Sequence, residues 1–113
     1  MKKLIIALSF VAVGAILFSC SKDESPDPVA TPGPKFLAAK AVVTSSCALS
    51  GCHASPTNAG GMNLTTNEAI VANGSRIKTA AVDQSTMPPT GALNATSKTA
   101  ISDWISAGGK LTD

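Results

Sequence analysis

Two cysteines and the only histidine of the chain stand within seven residues of one another, at Cys47, Cys52 and His53. A cysteine followed directly by histidine, with a second cysteine upstream, is the pattern by which c-type haem is attached to protein. The two thiols add across the vinyl groups of the haem, and the imidazole is then placed under the iron. This segment therefore predicts one covalently attached haem, with His53 as an axial ligand.

The spacing of the two cysteines departs from the usual Cys-x-x-Cys-His pattern, because four residues separate Cys47 from Cys52. The longer loop between the two thioethers can be absorbed by Ser50 and Gly51. Two other interpretations of the segment stay open. In one, Cys47 and Cys52 form a disulfide that staples a small surface or binding lipoprotein without haem. In the other, the three residues and a methionine form a metal module soft enough for copper.

A haem iron also needs a second axial ligand or an open site, and thioether sulfur can supply that ligand. The candidates are Met87 and Met62. Met87 precedes Pro88 and Pro89, which stiffen the backbone after it. Met62 lies in a Gly-Gly-Met-Asn-Leu turn and is predicted to pack. A methionine usually packs in the interior and is not a ligand. Met87 is predicted to be the distal ligand only because the chain also contains the Cys-His motif.

The N-terminus has the features of an export signal. Lys2 and Lys3 precede an almost wholly apolar run over residues 4–18, which is short for a membrane-spanning helix. The run ends in Leu-Phe-Ser-Cys, which resembles a bacterial lipobox. We predict a lipoprotein signal peptide over residues 1–19, cleaved before a lipidated Cys20. The alternative is an uncleaved anchor helix. Two or three acyl chains on Cys20 would give stable anchoring.

The segment after Cys20 is predicted to be a tether. Its Lys-Asp-Glu start resembles a surface-export signal of Bacteroidetes lipoproteins, and an ordinary solvated linker is the equal alternative. We expect an exported, outer-membrane lipoprotein that faces the periplasm or the cell surface. Residues 25–34 hold four of the seven prolines, which favours an extended, semi-rigid chain. The expected domains are a lipidated tether over 20–35 and one folded domain over 36–113.

Composition limits the function further. Without the predicted signal, seven basic residues balance seven acidic ones, so there is no basic patch for nucleic acid. Phe36 and Trp104 are the only aromatic residues of the folded domain. A domain of fewer than roughly 80 residues rarely builds enough core alone and tends to carry a staple. A covalent haem would be such a staple, as would a disulfide in an exported protein.

The folded domain is predicted to be helical, because no stretch alternates apolar and polar residues as a strand does. The predicted helices cover residues 35–45, residues 66–73, a turn or two after Ser75, and the segment from Asn94 to about residue 107. Thr65 and Glu68 fit a capping box for the second helix, which Gly74 is expected to end. Two apolar faces are expected, one of Ile77, Ala80 and Ala81 and one of Ile101, Trp104 and Ile105.

This order of motifs resembles the small monohaem cytochrome c domains of Bacteroidetes and Planctomycetes lipoproteins, which are class I cytochrome c-like. The matching features run from Phe36 to Lys110: a helix, Cys and Cys-His, Gly-Gly-Met-Asn-Leu-Thr-Thr, Met-Pro-Pro, and a last helix with Trp-Ile followed by Ala-Gly-Gly. The resemblance implies an all-α domain wrapped around one haem c. It implies that Cys47 and Cys52 carry the haem, and that His53 and Met87 are its proximal and distal ligands.

The implied function is one-electron transfer by a membrane-anchored cytochrome that exchanges electrons with redox partner proteins. No constellation of acid, base and nucleophile is visible, so neither catalysis nor a small-molecule substrate is predicted. The resemblance also places Trp104 between the terminal helices, where it would help to seal the haem edge. Arg76 and Lys78 are either partners for haem propionates or solvated surface charges.

Overall fold

The computed structural model describes residues 30–113, and all regular structure within that range is helical. The elements are helix α1 at Pro34–Ser46, a 3-10 turn at Ala59–Gly61, α2 at Asn67–Ala72, α3 at Gly74–Lys78, a π-helical turn at Thr79–Asp83, and α4 at Ala95–Ser106. No strand is found between residues 30 and 113. The predicted all-α fold class is therefore confirmed.

The predicted signal peptide, Cys20 and most of the predicted tether lie outside the described residues. Within the described part of the chain, no helix is both long enough and apolar enough to cross a membrane. Helix α1 begins at Pro34, one residue before the start of the helix predicted over residues 35–45. Proline is well tolerated as the first residue of a helix because that position needs no intrahelical N–H bond.

The C-terminal residue caps the start of α1. The carboxylate of Asp113 accepts hydrogen bonds from the backbone N–H groups of Lys35, at 2.8 Å, and Phe36, at 3.2 Å. These are among the N–H groups that a helix leaves without intrahelical partners, and a negative charge there also complements the helix dipole. Gly33 N–H donates to the Leu111 carbonyl at 2.8 Å. The two ends of the domain are thus joined.

Helices α1 and α4 pack against each other and form the centre of the core. The rings of Phe36 and Trp104 are both fully buried and meet edge-to-face, with centroids 5.7 Å apart. This is a favoured geometry for an aromatic pair. The indole Nε1–H of Trp104 donates to the Lys110 carbonyl at 2.7 Å, so its polar atom is satisfied. Val43 and Ile101 are also fully buried in this core.

Two expectations for the α2 region are wrong. The N-cap of α2 is Thr66, whose side chain accepts from Ala69 N–H at 3.2 Å. Thr65 instead donates its N–H and hydroxyl to the side chain of Asn63, at 3.0 and 2.6 Å. This turn shifts the helix start by one residue, so Glu68 is not at the capping-box position.

Gly74 does not end α2 but begins α3. A Cβ at this position would lie 2.9 Å from Cη2 of Trp104 and 3.0 Å from Cδ1 of Ile105. The glycine is therefore required because α3 approaches α4 closely. The sequence pattern gave it the wrong role, since the indole that it contacts lies 30 positions further along the chain.

Candidate functional site

One cleft is lined by all four residues predicted to hold a haem, namely Cys47, Cys52, His53 and Met87. It is open to solvent, and the roughly 690 Å³ of space that it contains includes solvent at its mouth. The rest of the lining is mostly apolar and consists of Ser46, Gly51, Ala59, Met62, Leu64, Arg76, Ile77, Ala80, Ala81, Pro88 and Pro89. The cleft thus combines apolar walls with two thiols, an imidazole and a thioether.

Helix α1 delivers the first cysteine of the motif to the cleft. Cys47 follows the last residue of α1 and donates its N–H to the Val43 carbonyl at 2.9 Å. His53 N–H then donates to the Cys47 carbonyl at 3.1 Å, which closes the intervening loop. Gly51 has a φ of 84°, a conformation that glycine adopts at little cost. Gly51 therefore allows a tight turn within the loop that separates the two cysteines.

The second cysteine and the histidine are fixed by the chain that follows them. The Cys52 carbonyl accepts from Ala59 N–H and the His53 carbonyl accepts from Leu64 N–H, both at 2.8 Å. The backbone of the Cys-His pair is therefore held against residues 59–64. The imidazole ring is fixed less firmly, because Nδ1 of His53 is buried and has no hydrogen-bond partner among the described residues. A ring that lines a cleft in this way is available to a group bound there.

Both thiols of the motif are free. Cys47 is 8% exposed, and burial raises its thiol pKa above the ordinary value, with a smaller contribution from the neighbouring charge of Cys52. Cys47 and Cys52 are therefore not joined by a disulfide in this structure. Between residues 30 and 113, no group of three or more His, Cys, Asp or Glu side chains could hold a metal ion.

The two candidate methionines both reach the cleft but differ in how they are packed. Met62 is half-buried and packs against the hydrophobic core. Met87 is 38% exposed and is not among the side chains packed against that core. Its neighbours Pro88 and Pro89 line the cleft beside it. The packing role predicted for Met62 fits its position, and Met87 is the more exposed of the two methionines.

The cationic residues near the cleft are also distinguished by the structure. Lys78 is paired with Asp83, with its Nζ 2.7 and 3.0 Å from the two carboxylate oxygens. Arg76 contacts Asn73 Oδ1 through Nη1 at 3.4 Å and lines the cleft. Among the described residues of the lining, Arg76 is the only one with a permanent charge. A negatively charged edge of a bound group would therefore meet Arg76 and not Lys78.

Several site expectations can be compared with the structure. Ile77, Ala80 and Ala81 share a face, as predicted, and that face forms a wall of the cleft. Trp104 packs in the core and does not line the cleft, so the expected second role in sealing a haem is not supported.

Sequence reasoning gave no role to two of the lining residues, Ala59 and Leu64. Both belong to the segment that holds the backbone of Cys52 and His53. Their nearness to the Cys-His pair, and the buried apolar side chain of Leu64, are the signals that could have identified them.

No protein-family model, curated protein or solved structure matches this chain. The chemistry of the cleft therefore has to be argued from its own residues. Its two thiols can form thioethers, its imidazole and thioether can ligate iron, and its apolar walls can bury a flat apolar group. These three properties occur together on one surface.

Proposed function

We propose that this chain is a monohaem c-type cytochrome that transfers single electrons between redox partner proteins. One observation carries the proposal. Cys47, Cys52 and His53 lie in one loop, Met87 lies 34 residues beyond His53, and all four line the same apolar cleft. A chance motif would give no reason for the Met-Pro-Pro segment to return to the Cys-His loop.

The residues of the cleft fit a haem c. The free thiols of Cys47 and Cys52 would form the thioethers, and His53 and Met87 would be the axial ligands. When bound, the haem supplies an iron that cycles between the ferric and ferrous states. Arg76, which lines the cleft, could donate to a haem carboxylate, whereas Lys78 is paired with Asp83. The small helical domain would thus be wrapped around one covalently bound group.

The chain's own residues would set the conditions for electron transfer. Thioether ligation by Met87 raises the reduction potential relative to ligation by two histidines. The apolar walls formed by Leu64, Ile77 and Ala81 exclude water, which favours the less charged, reduced form. The open mouth of the cleft, beside the partly exposed Met87, leaves an edge at which electrons can enter and leave.

The proposed role is that of a carrier and not of an enzyme. Among the described residues that line the cleft there is no carboxylate, and its imidazole and thiols are the groups proposed to hold the haem. Lipidation at Cys20 and the proline-rich tether would hold the domain at a membrane, on the periplasmic side or at the cell surface. Its partners would be redox proteins within reach of that tether.

Covalent attachment can be tested with the full chain, expressed in a bacterium equipped for c-type haem maturation. We expect the denatured protein to stain for haem after electrophoresis and to give a pyridine haemochrome spectrum with both vinyl groups saturated. Cys52→Ala should abolish the attachment of haem through two thioethers. Cys20→Ser is the matched control, because it removes the third cysteine and should leave the haem in place.

A colourless, folded wild-type protein in the same host would contradict the proposal. If Cys47 and Cys52 were then found bridged by mass spectrometry, the disulfide-stapled lipoprotein would be the better interpretation. Loss of haem in Cys20→Ser, with normal export, would show that the thioethers had been assigned to the wrong cysteines.

A further inference from the structure

The π-helical turn at Thr79–Asp83 forms part of the cleft wall and precedes the segment that carries Met87. Gln84 N–H donates to the Thr79 carbonyl at 2.9 Å, a spacing of five residues. Single π-helical turns are uncommon and are frequently found at functional sites. The proposed electron transfer does not by itself explain why the backbone widens here.

The consequence of the turn is that the Ala80 carbonyl leaves the helical hydrogen-bond pattern. It accepts instead from Thr86 N–H at 2.9 Å, from Met87 N–H at 3.2 Å and from the Thr86 hydroxyl at 3.2 Å. Three donors thus converge on one carbonyl oxygen. Ala80 also lines the cleft, so the backbone of Met87 is attached directly to a residue of the cleft wall.

Ser85, the residue before Thr86, is also held by hydrogen bonds. Ser85 has a φ of 53°, which is unusual for a residue with a side chain. Its hydroxyl accepts from Nζ of Lys98 in α4 at 2.7 Å and donates to the Val82 carbonyl at 3.4 Å. The start of the Met87 segment is therefore anchored both to α4 and to the π-helical turn.

The side chain of Met87 has no comparable support. It is 38% exposed and lines the open cleft. The position of its sulfur therefore depends on its backbone, and the backbone is fixed by the bonds to the Ala80 carbonyl. Thr86 supplies two of those three bonds, one of them through its side chain.

We propose that Thr86 is the positioning residue for the distal ligand. Its hydroxyl, which donates to the Ala80 carbonyl, helps to hold the Met87 thioether at the cleft. This inference rests on the proposed function, because it assigns the anchored thioether to the haem iron. Without the hydroxyl, two backbone bonds remain, and the thioether leaves the iron more often.

The test compares Thr86→Val, which keeps the shape and removes the hydroxyl, with Thr86→Ser, which keeps the hydroxyl. Thr90→Val is the matched control, since Thr90 is exposed in the same loop and makes no side-chain hydrogen bond within residues 30–113. The oxidised, haem-loaded proteins are titrated with imidazole, which competes with Met87 for the iron. The readout is the loss of the weak absorption at the red end of the visible that reports sulfur on ferric haem.

We expect Thr86→Val to bind imidazole about fivefold more tightly than wild type, which is the effect of one ordinary hydrogen bond. The imidazole affinities of Thr86→Ser and Thr90→Val should stay within about twofold of wild type, because neither change removes a hydrogen bond to the Ala80 carbonyl. Equal affinities in Thr86→Val and Thr90→Val would overturn the proposal.

A second measurement separates this inference from the proposed function. Amide hydrogen exchange of Met87 can be followed in the protein with or without haem. Thr86→Val should accelerate exchange at the Met87 amide, and Thr90→Val should not. A wild-type chain without haem would contradict the proposed function alone. Unchanged exchange at Met87 in Thr86→Val would overturn the anchor, whatever the haem content.

Discussion

The pair of helices α1 and α4 and the loops of the cleft differ in what fixes their side chains. Phe36 and Trp104 are held by each other and by the core around them, and neither is exposed to solvent. Leu49 and Met87, in the cleft loops, are 44% and 38% exposed. The loop backbones are fixed by hydrogen bonds to carbonyls of residues that line or flank the cleft. Packing therefore determines the fold, whereas backbone bonding determines where the reactive groups lie.

The largest expected effect is on the core side of this comparison. Trp104→Ala should lower the free energy of unfolding by about 3–5 kcal/mol, because it removes a fully buried aromatic side chain and leaves a cavity. Urea denaturation followed by circular dichroism measures this loss. Leu37→Ala is the matched control in α1, since Leu37 is 50% exposed, and it should change stability by no more than about 0.5 kcal/mol. Equal losses in the two variants would mean that α1 and α4 do not form the core described.

A second prediction tests how closely α3 approaches α4. Gly74→Ala would place a Cβ 2.9 Å from the Trp104 ring, and such overpacking costs about 1–3 kcal/mol. This cost should exceed the gain of up to about 1 kcal/mol that alanine has over glycine in a helix. We expect a net loss of stability in thermal unfolding. Ser75→Ala, at the exposed neighbouring position, is the control, and a stabilised Gly74→Ala protein would contradict the packing.

The closure between the two ends of the domain should have a smaller effect. Asp113→Asn removes the charge at the N-terminus of α1 and one strong acceptor, which should lower stability by about 0.5–1 kcal/mol. Asp103→Asn is the control, because Asp103 is exposed and has no side-chain hydrogen bond in residues 30–113. Urea midpoints compare the two variants. If Asp113→Asn lost no more stability than Asp103→Asn, the hydrogen bonds from α1 to Asp113 would contribute nothing to stability.

The last prediction concerns the relative reactivity of the two cleft thiols, and its measurement should disturb the fold least. In haem-free protein, Cys52 should be alkylated by iodoacetamide several-fold faster than Cys47. The thiol pKa of Cys47 is raised by burial, so less of it is the reactive thiolate at a given pH, and access is also restricted. Peptide mass spectrometry distinguishes the two sites. Neither should react in haem-loaded protein, and faster alkylation of Cys47 would contradict its burial.

Local signals made most of the fold predictable from sequence. The starts of α1 and α4 were predicted to within one residue, because the proline and the asparagine found there each act on their own helix. The choice between Thr65 and Thr66 as the cap of α2 could not be made, because it depends on which of them the side chain of Asn63 binds. The role of Gly74 depends on its contact with Trp104, which no local pattern reveals.

The candidate site was predictable to the extent that its chemistry is carried by rare residues. Cys47, Cys52, His53 and Met87 were identified by type and spacing, and the structure brings them to one cleft. The anchoring of Met87 through Ala80 could not be predicted, because it requires a π-helical turn that has no clear sequence signal. Of the apolar side chains that line the cleft, only Ile77, Ala80 and Ala81 were predicted to share one face.

The central claim is that the Cys-His loop and the Met-Pro-Pro segment hold one haem iron between His53 and Met87. It is tested most directly by the visible spectrum of the oxidised, haem-loaded protein. We predict a weak band at the red end of the visible in wild type, its loss in Met87→Ala, and its retention in Met62→Ala, the matched variant from the same cleft. A band that persists in Met87→Ala, or that disappears in Met62→Ala instead, would contradict the account.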